Sequence, residues 1–317
     1  MLEDAKFTGA VMRFARFRGA SLDGADFADA DLWGSDFAQA DADETVFRGA
    51  HLDEANLSDV NLTGADFSGA SLRRANLSMS RLKGANFTDA KLDGADLSSA
   101  DLSNATLDRL NLLTCKLEHV RLSGAWLNNT RLRIDQLGGA VGEELAGEFE
   151  AAEASYQVLE RNLLSIGSKD EASWAYKRGR RMGRHLAGSR ALLSWRSGDR
   201  RNSLRWGYAW AANRFVEWLC DYGESLSRIV RAFAILILVF AGLYGLAAGL
   251  IVEKGAPTHN LLDLLSYSCL NMLTSNPPDI GLKPTGRFTN ILVGTQGAVG
   301  IILMGLFGFV LGNRLRR

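Results

Sequence analysis

Every fifth residue from Leu2 to Leu137 is apolar, and of these 28 positions only Met12 and Ala42 are neither Leu nor Phe. Two residues before each, the side chain is nearly always small, as at Ala5, Ala10, Ala15, Ala20, Ala25, Ala30, Ser35 and Ala40. A 3.6-residue helix or a two-residue strand loses phase with a five-residue spacing within a few units, so neither keeps both registers pointing inward over 137 residues. A self-stacking solenoid does, because each unit buries its Leu or Phe against the next coil. Beyond Leu137 the phase stops, and the chain divides into three compositional segments.

Charge follows the same division. The 317 residues carry 36 basic and 36 acidic side chains, and this neutrality argues against a chain that binds nucleic acid throughout. Residues 1–137 hold 15 basic and 21 acidic residues, 138–228 hold 14 and 12, and 229–317 hold 7 and 3. Three widely spaced cysteines, Cys115, Cys220 and Cys269, do not suggest a disulfide framework and fit a reducing compartment. The first thirty residues carry charges throughout and no apolar core, so no cleavable signal is expected.

Within the repeat the units read Ala25-Asp26-Phe27, Ala55-Asn56-Leu57, Ala65-Asp66-Phe67, Ala85-Asn86-Phe87 and Ala95-Asp96-Leu97. This pattern resembles the pentapeptide-repeat family, A-[D/N]-L-x-x. The resemblance implies a right-handed four-sided β-helix with four pentapeptides per coil, about seven coils and about 34 Å long at the usual strand spacing. Departures at Asp41-Ala42-Asp43-Glu44 and from Leu110 to Val120, where Leu110, Cys115 and Val120 replace alanine, predict a bulge or a wider coil. The outer polar positions fit a scaffold or a surface for a cytoplasmic protein partner. Nucleic-acid mimicry is disfavoured, because Arg73, Arg74, Arg81 and Lys83 interrupt any acidic stripe.

From Gly138 the spacing of Leu145, Phe149, Ala152, Tyr156, Leu159 and Leu163 predicts an amphipathic helix ended by Gly167. Ser168 with Glu171 predicts a capping box at the start of a second helix, and a third is expected over Leu204 to Cys220. Lys177 to Arg214 contains 11 Lys or Arg and one acidic residue, Asp199, interleaved with Trp195, Trp206, Tyr208 and Trp210. Such a stretch binds nucleic acid, sits at an anionic lipid surface, or forms the solvated face of a small helical domain. The following segment favours membrane lipid over nucleic acid. Arg178, Arg181, Arg205, Arg228 and Arg231 are the candidates for lipid-surface or coupling contacts.

Ala232 to Val252 and Phe288 to Leu311 are uncharged stretches of 21 and 24 residues, each long enough to cross a hydrocarbon core of about 30 Å. The expected spans cover about 229–252 and 288–312. Arginines flank the entry to the first and the exit from the second, which places both termini in the cytoplasm of a plasma or inner membrane. Between them, Leu261 to Leu273 is too short to span and too apolar for an ordinary loop, so a re-entrant helix over 261–273 is expected. It runs into Thr274-Ser275-Asn276-Pro277-Pro278-Asp279, where proline stops any helix.

Span, short helix, polar turn, span resembles the two-transmembrane potassium-channel-like family. The resemblance implies a homo-tetramer around a pore for monovalent cations, potassium or sodium, with a selectivity filter at Thr274 to Asp279. Where potassium channels have T-V-G-Y-G-D, this chain has two prolines, so a four-site potassium filter is not expected. Backbone and side-chain oxygens of Thr274, Ser275 and Asn276 would form one or two wider rings, and Asp279 an acidic outer ring, giving weak cation selectivity. Asp279 has a plainer role too, as a cap or as the ion-pair partner of Lys283 or Arg287. Thr295 and Gln296 are polar residues at mid-depth of the second span and candidate pore supports. Gly300 and Gly305 are candidates for close helix packing or a gating hinge. No nucleotide-binding, zinc or hydrolase motif is present and the four histidines are isolated, so neither catalysis, a cofactor nor a metal is expected. The competing reading is a nonconducting membrane-anchored scaffold whose repeat binds a protein partner.

Overall fold

The structure, a computed structural model, describes residues 2–252, 256–274 and 280–315, with the backbone alone at 252 and 313–315. The chain forms two compact units, Met1–Trp210 and Ala211–Arg317.

In the first unit, parallel bridges pair one residue of nearly every five-residue unit with the residue twenty further on, from Lys6 with Asp26 to Asn111 with Arg131. Four five-residue units therefore close one coil. Phe7 N–H donates to Asp26 O at 2.7 Å and Asp26 N–H to Ala5 O at 2.8 Å, and this ladder continues coil upon coil. Each corner is a turn closed by a bond such as Ala10 N–H to Phe7 O at 2.9 Å. The residue before the small one takes positive φ, 66° at Gly9 and 56° at Phe14, the signature of a type II turn. Inside, Phe7, Phe27, Phe47, Phe67 and Phe87 form one column of near-parallel rings with centroids 4.8 to 5.3 Å apart. The coil spacing thus sets the ring spacing.

The polar member of each unit has a local function. Asp26 Oδ1 accepts from Ala28 N–H at 2.9 Å and Asn76 Oδ1 from Ser78 N–H at 3.1 Å. Asn56 Nδ2 donates to Asp36 Oδ1 at 2.9 Å and Asn86 Nδ2 to Asp66 Oδ1 at 3.1 Å, which ties neighbouring coils. Where alanine is replaced by a polar residue, the side chain bonds a buried carbonyl. Thr45 Oγ1 donates to Leu22 O at 2.9 Å and Cys115 Sγ to Leu92 O at 3.0 Å.

The expected bulge at Asp41-Ala42-Asp43-Glu44 is absent. Ala42 is fully buried and the bridge from Asp41 to Asn61 is regular, because Thr45 fills the small-residue register and binds across the coil. Between Leu110 and Val120 the ladder is interrupted, with no bridge between Lys91 and Asn111. Gly94 N–H there donates to Thr114 Oγ1 at 3.0 Å, in place of the usual backbone acceptor, while Leu110, Cys115 and Val120 stay in the core.

Four helices follow: α1 (Gly142–Leu145), α2 (Phe149–Ser165), α3 (Lys169–Arg196) and α4 (Arg200–Cys220). The expected first helix is broken after Leu145, which is exposed, by Gly147 at φ 73°. Ala152, Tyr156, Leu159 and Leu163 of α2 and Ala172, Ala175 and Met182 of α3 join the same apolar core as the coils. The last coil's backbone is met by side chains. Glu143 Oε1 accepts from Leu122 and Ser123 N–H, both at 2.9 Å, and Asn162 bonds both the N–H and the C=O of Thr130 at 3.0 and 2.8 Å. This closes an edge that would otherwise expose unpaired groups. The expected capping box of Ser168 does not form, since its side chain makes no cap bond, although its carbonyl accepts the first helical bond, from Ala172 N–H at 3.0 Å.

The second unit holds the end of α4, then α5 (Leu226–Leu246), β1 (Leu250–Val252), α6 (Leu261–Thr274), β2 (Leu282–Pro284) and α7 (Gly286–Leu315), with β1 and β2 antiparallel. The first apolar helix stops at Leu246 rather than 252. Ala248 takes φ 46°, and the chain turns into a strand across Gly249, whose missing Cβ leaves room for Thr289, 2.1 Å from where it would stand. Among the described residues, Leu226–Leu246 and Gly286–Gly312 are the two helices long and apolar enough to cross a membrane.

Candidate functional site

Helices α5, α6 and α7 pack pairwise through largely apolar side chains, with one polar cluster among them. Gln296, fully buried on α7, is the hub. Its Oε1 accepts from Tyr244 Oη of α5 at 2.7 Å and from Asn271 Nδ2 of α6 at 3.1 Å. Its Nε2 donates to the carbonyl and hydroxyl of Ser268 at 2.9 and 2.6 Å. Ser268 Oγ donates onward to Ile237 O of α5 at 2.8 Å, and Asn271 Nδ2 also reaches Val293 O of α7 at 3.1 Å. Tyr267 sets its ring edge-on to Tyr244 with centroids 5.5 Å apart. In an apolar surrounding a polar group gains most from a partner inside the protein, so one amide fixes the rotation and depth of α6 against both long helices, while Asn271 Oδ1 and the Tyr267 hydroxyl are buried with no hydrogen-bond partner among the described residues.

Glycine completes the packing. A Cβ on Gly300 would stand 2.1 Å from Met272 O, so α7 passes hard against the last turn of α6. Gly305 is exposed, with nothing within 4 Å of its would-be Cβ. Thr295 is exposed and its hydroxyl donates to Ile291 O at 2.7 Å, within its own helix. Thr274, also exposed, likewise donates to Leu270 O at 2.7 Å and ends α6. Ser275, Asn276, Pro277, Pro278 and Asp279 lie outside the described residues.

The basic candidates are dispersed. Arg178 is half-buried in the first unit, where it pairs with Glu144 and stands 5.7 Å over Trp174. Arg181 is half-buried on the same helix, while Arg205 and Arg231 are exposed, the former 5.9 Å over Trp206. Arg228 Nη1 donates to Glu217 O at 2.7 Å, which ties α5 to the end of α4.

Tyr244, Ser268 and Asn271 are the members of this cluster that sequence reasoning missed. The available signal was their scarcity, since Ser268 and Asn271 stand three residues apart on a short, otherwise mostly apolar helix.

Comparison with known proteins bears on the first unit. A family model described as Pentapeptide repeats matches eight copies over residues 2–34, 34–69, 65–104 and 95–133. A pentapeptide repeat protein from the cyanobacterium Nostoc is 32% identical, over 28% of this chain and 84% of its own, with a TM-score of 0.24. One from the thylakoid lumen of Arabidopsis thaliana is 30% identical over 38% and 73%, with a TM-score of 0.21. A trypsin-treated variant of QnrB1, a plasmid-mediated fluoroquinolone resistance protein, is 23% identical with a TM-score of 0.27, and the chain spans 66% of its length. No curated protein matches the chain. With twenty-residue coils, buried Leu and Phe at every fifth position and the matching family model over 2–133, this part of the chain is a pentapeptide-repeat domain.

Proposed function

We propose that residues 211–317 form the pore of an oligomeric cation channel, four copies around one axis, and that the repeat, a right-handed coil, is its cytoplasmic sensing or partner-binding part. One observation supports this most: α6 has 14 residues, about 21 Å of helix and too short to cross a bilayer, yet buried polar bonds tie it to both membrane-length helices. A short helix anchored at that depth brings its partly negative C-terminal end and Thr274 to a fixed point, which suits a cation. Outward side chains such as Leu238, Ile291, Ile301 and Ile302 are 60 to 66% exposed, as lipid or neighbouring copies require. In this reading Thr274 to Asp279 are the selectivity filter, as the sequence suggests, and selectivity among monovalent cations is weak.

A second reading is favoured by the prolines themselves. Pro278 fixes φ near −65° where a potassium filter uses glycine, and a blocked turn would leave a nonconducting membrane anchor that presents the repeat to a protein partner. Flux from liposomes separates the two. The channel reading expects potassium and sodium flux well above chloride, altered in an Asn276→Ala, Asp279→Ala chain. No flux from a well-folded tetramer, under several lipids and voltages, would establish the anchor.

A further inference from the structure

On the outer face of the coils, one ladder ends in an aromatic. Lys6, Asp26, Val46, Asp66, Asn86 and Thr106 share the register that Trp126 completes, and Trp126 pairs its backbone regularly with Thr106 while its side chain is 69% exposed. Beside it, a cleft of about 440 Å³ runs between the coil and α2, lined by Asp108, Trp126, Asn128, Val158 and Arg161. Asp108 Oδ1 is buried there and has no hydrogen-bond partner among the described residues. Arg161, the cation that lines the same cleft, is exposed and turns its Nε toward Gln157 O at 3.4 Å.

The Asp108 carboxylate lines the cleft with no cation paired to it among the described residues, and an exposed indole attracts a cation. We infer that this cleft receives a guanidinium or ammonium group, its charge at Asp108 and its stem across Trp126. The group belongs to an arginine or lysine side chain of a partner polypeptide or to a free small cation. Charge-assisted bonding and cation–π contact then act together on one ligand. Arg161 stands at the same cleft as an opposing charge that moderates affinity. This inference does not depend on whether the second unit conducts.

The test uses the full chain in detergent, labelled with 5-fluorotryptophan, with the Trp126 fluorine resonance assigned by Trp126→Phe. The probes are L-arginine amide and a capped Gly-Gly-Arg-Gly-Gly peptide. Saturable shifts of that resonance are expected, weakened about tenfold in Asp108→Asn and strengthened severalfold in Arg161→Glu. Tighter binding of the peptide assigns the polypeptide source, and equal binding a free cation. A chain with unchanged circular dichroism that shows no saturable shift overturns the inference. So does binding indifferent to Asp108→Asn, or weakened by Arg161→Glu, which is the response of an anion site.

Discussion

The two units satisfy their buried polar groups in opposite ways. In the repeat most polar groups are met within their own unit or by the coil above or below, so the Asp36, Asn56, Asn76 ladder shares the load over many similar contacts. In the second unit one residue, Gln296, serves three helices at once. Redundancy makes a rod that tolerates substitution, as the ease of Thr45, Cys115 and Ser80 in alanine positions shows. Concentration makes a geometry that one substitution can dismantle.

The sharpest break is expected in the second unit. Gly300→Val drives a side chain into the Met272 carbonyl, which α6 cannot yield without leaving α5, and should abolish a stable fold of that unit by thermal melting in detergent. Gln296→Leu leaves the Tyr244 hydroxyl without its partner, at about 1 to 3 kcal/mol for a buried group, and removes one of two bonds each from Asn271 and Ser268, so its melting point should fall by several degrees. In the repeat, Phe67→Ala opens a hole in the ring column and is expected to cost about 3 to 5 kcal/mol by denaturant titration. Asn76→Ala removes one rung and should cost about 1 kcal/mol.

The smallest effects are chemical. Backbone donation from Ala28 and the Thr8 hydroxyl hold the Asp26 carboxyl below its usual value, and Arg13 does the same for Asp31. A lowered folded pKa means the unfolded chain binds the proton more readily. This stabilisation is complete above the unfolded value of about 3.9 and drains away as pH falls through the folded ones. Melting of the repeat should therefore decline below about pH 4, and less so in Asp26→Asn. Burial pushes the Cys115 thiol up to about 12, so it should resist alkylation until the coils unfold.

How much of this was legible follows the same contrast. A five-residue phase is a local rule repeated, so the coil, its core residues and its end near Leu137 could be read directly. The two apolar helices and the short one between them were legible from length and composition. What closed the coil was not, because Glu143 and Asn162 act on backbone far away in sequence, and no local pattern marks a carboxylate aimed at Leu122 and Ser123. Ser168 looked like a cap by spacing, yet its side chain makes no cap bond. Span 1 ran short because the close approach of Thr289 to Gly249 is a tertiary demand. At the candidate site Gln296 was visible as a polar residue in an apolar helix, whereas Tyr244, Ser268 and Asn271 became a set only once three helices met.

The proposed pore depends on the polar hub of α5, α6 and α7. It is tested most directly by cation flux from vesicles carrying equal amounts of wild-type, Gln296→Leu and Phe67→Ala chains, at a temperature where all remain folded. The account predicts potassium or sodium flux in the wild type, a loss of about tenfold or more in Gln296→Leu, and little change in Phe67→Ala. Equal flux from wild type and Gln296→Leu, or none from a folded wild-type assembly, would contradict it.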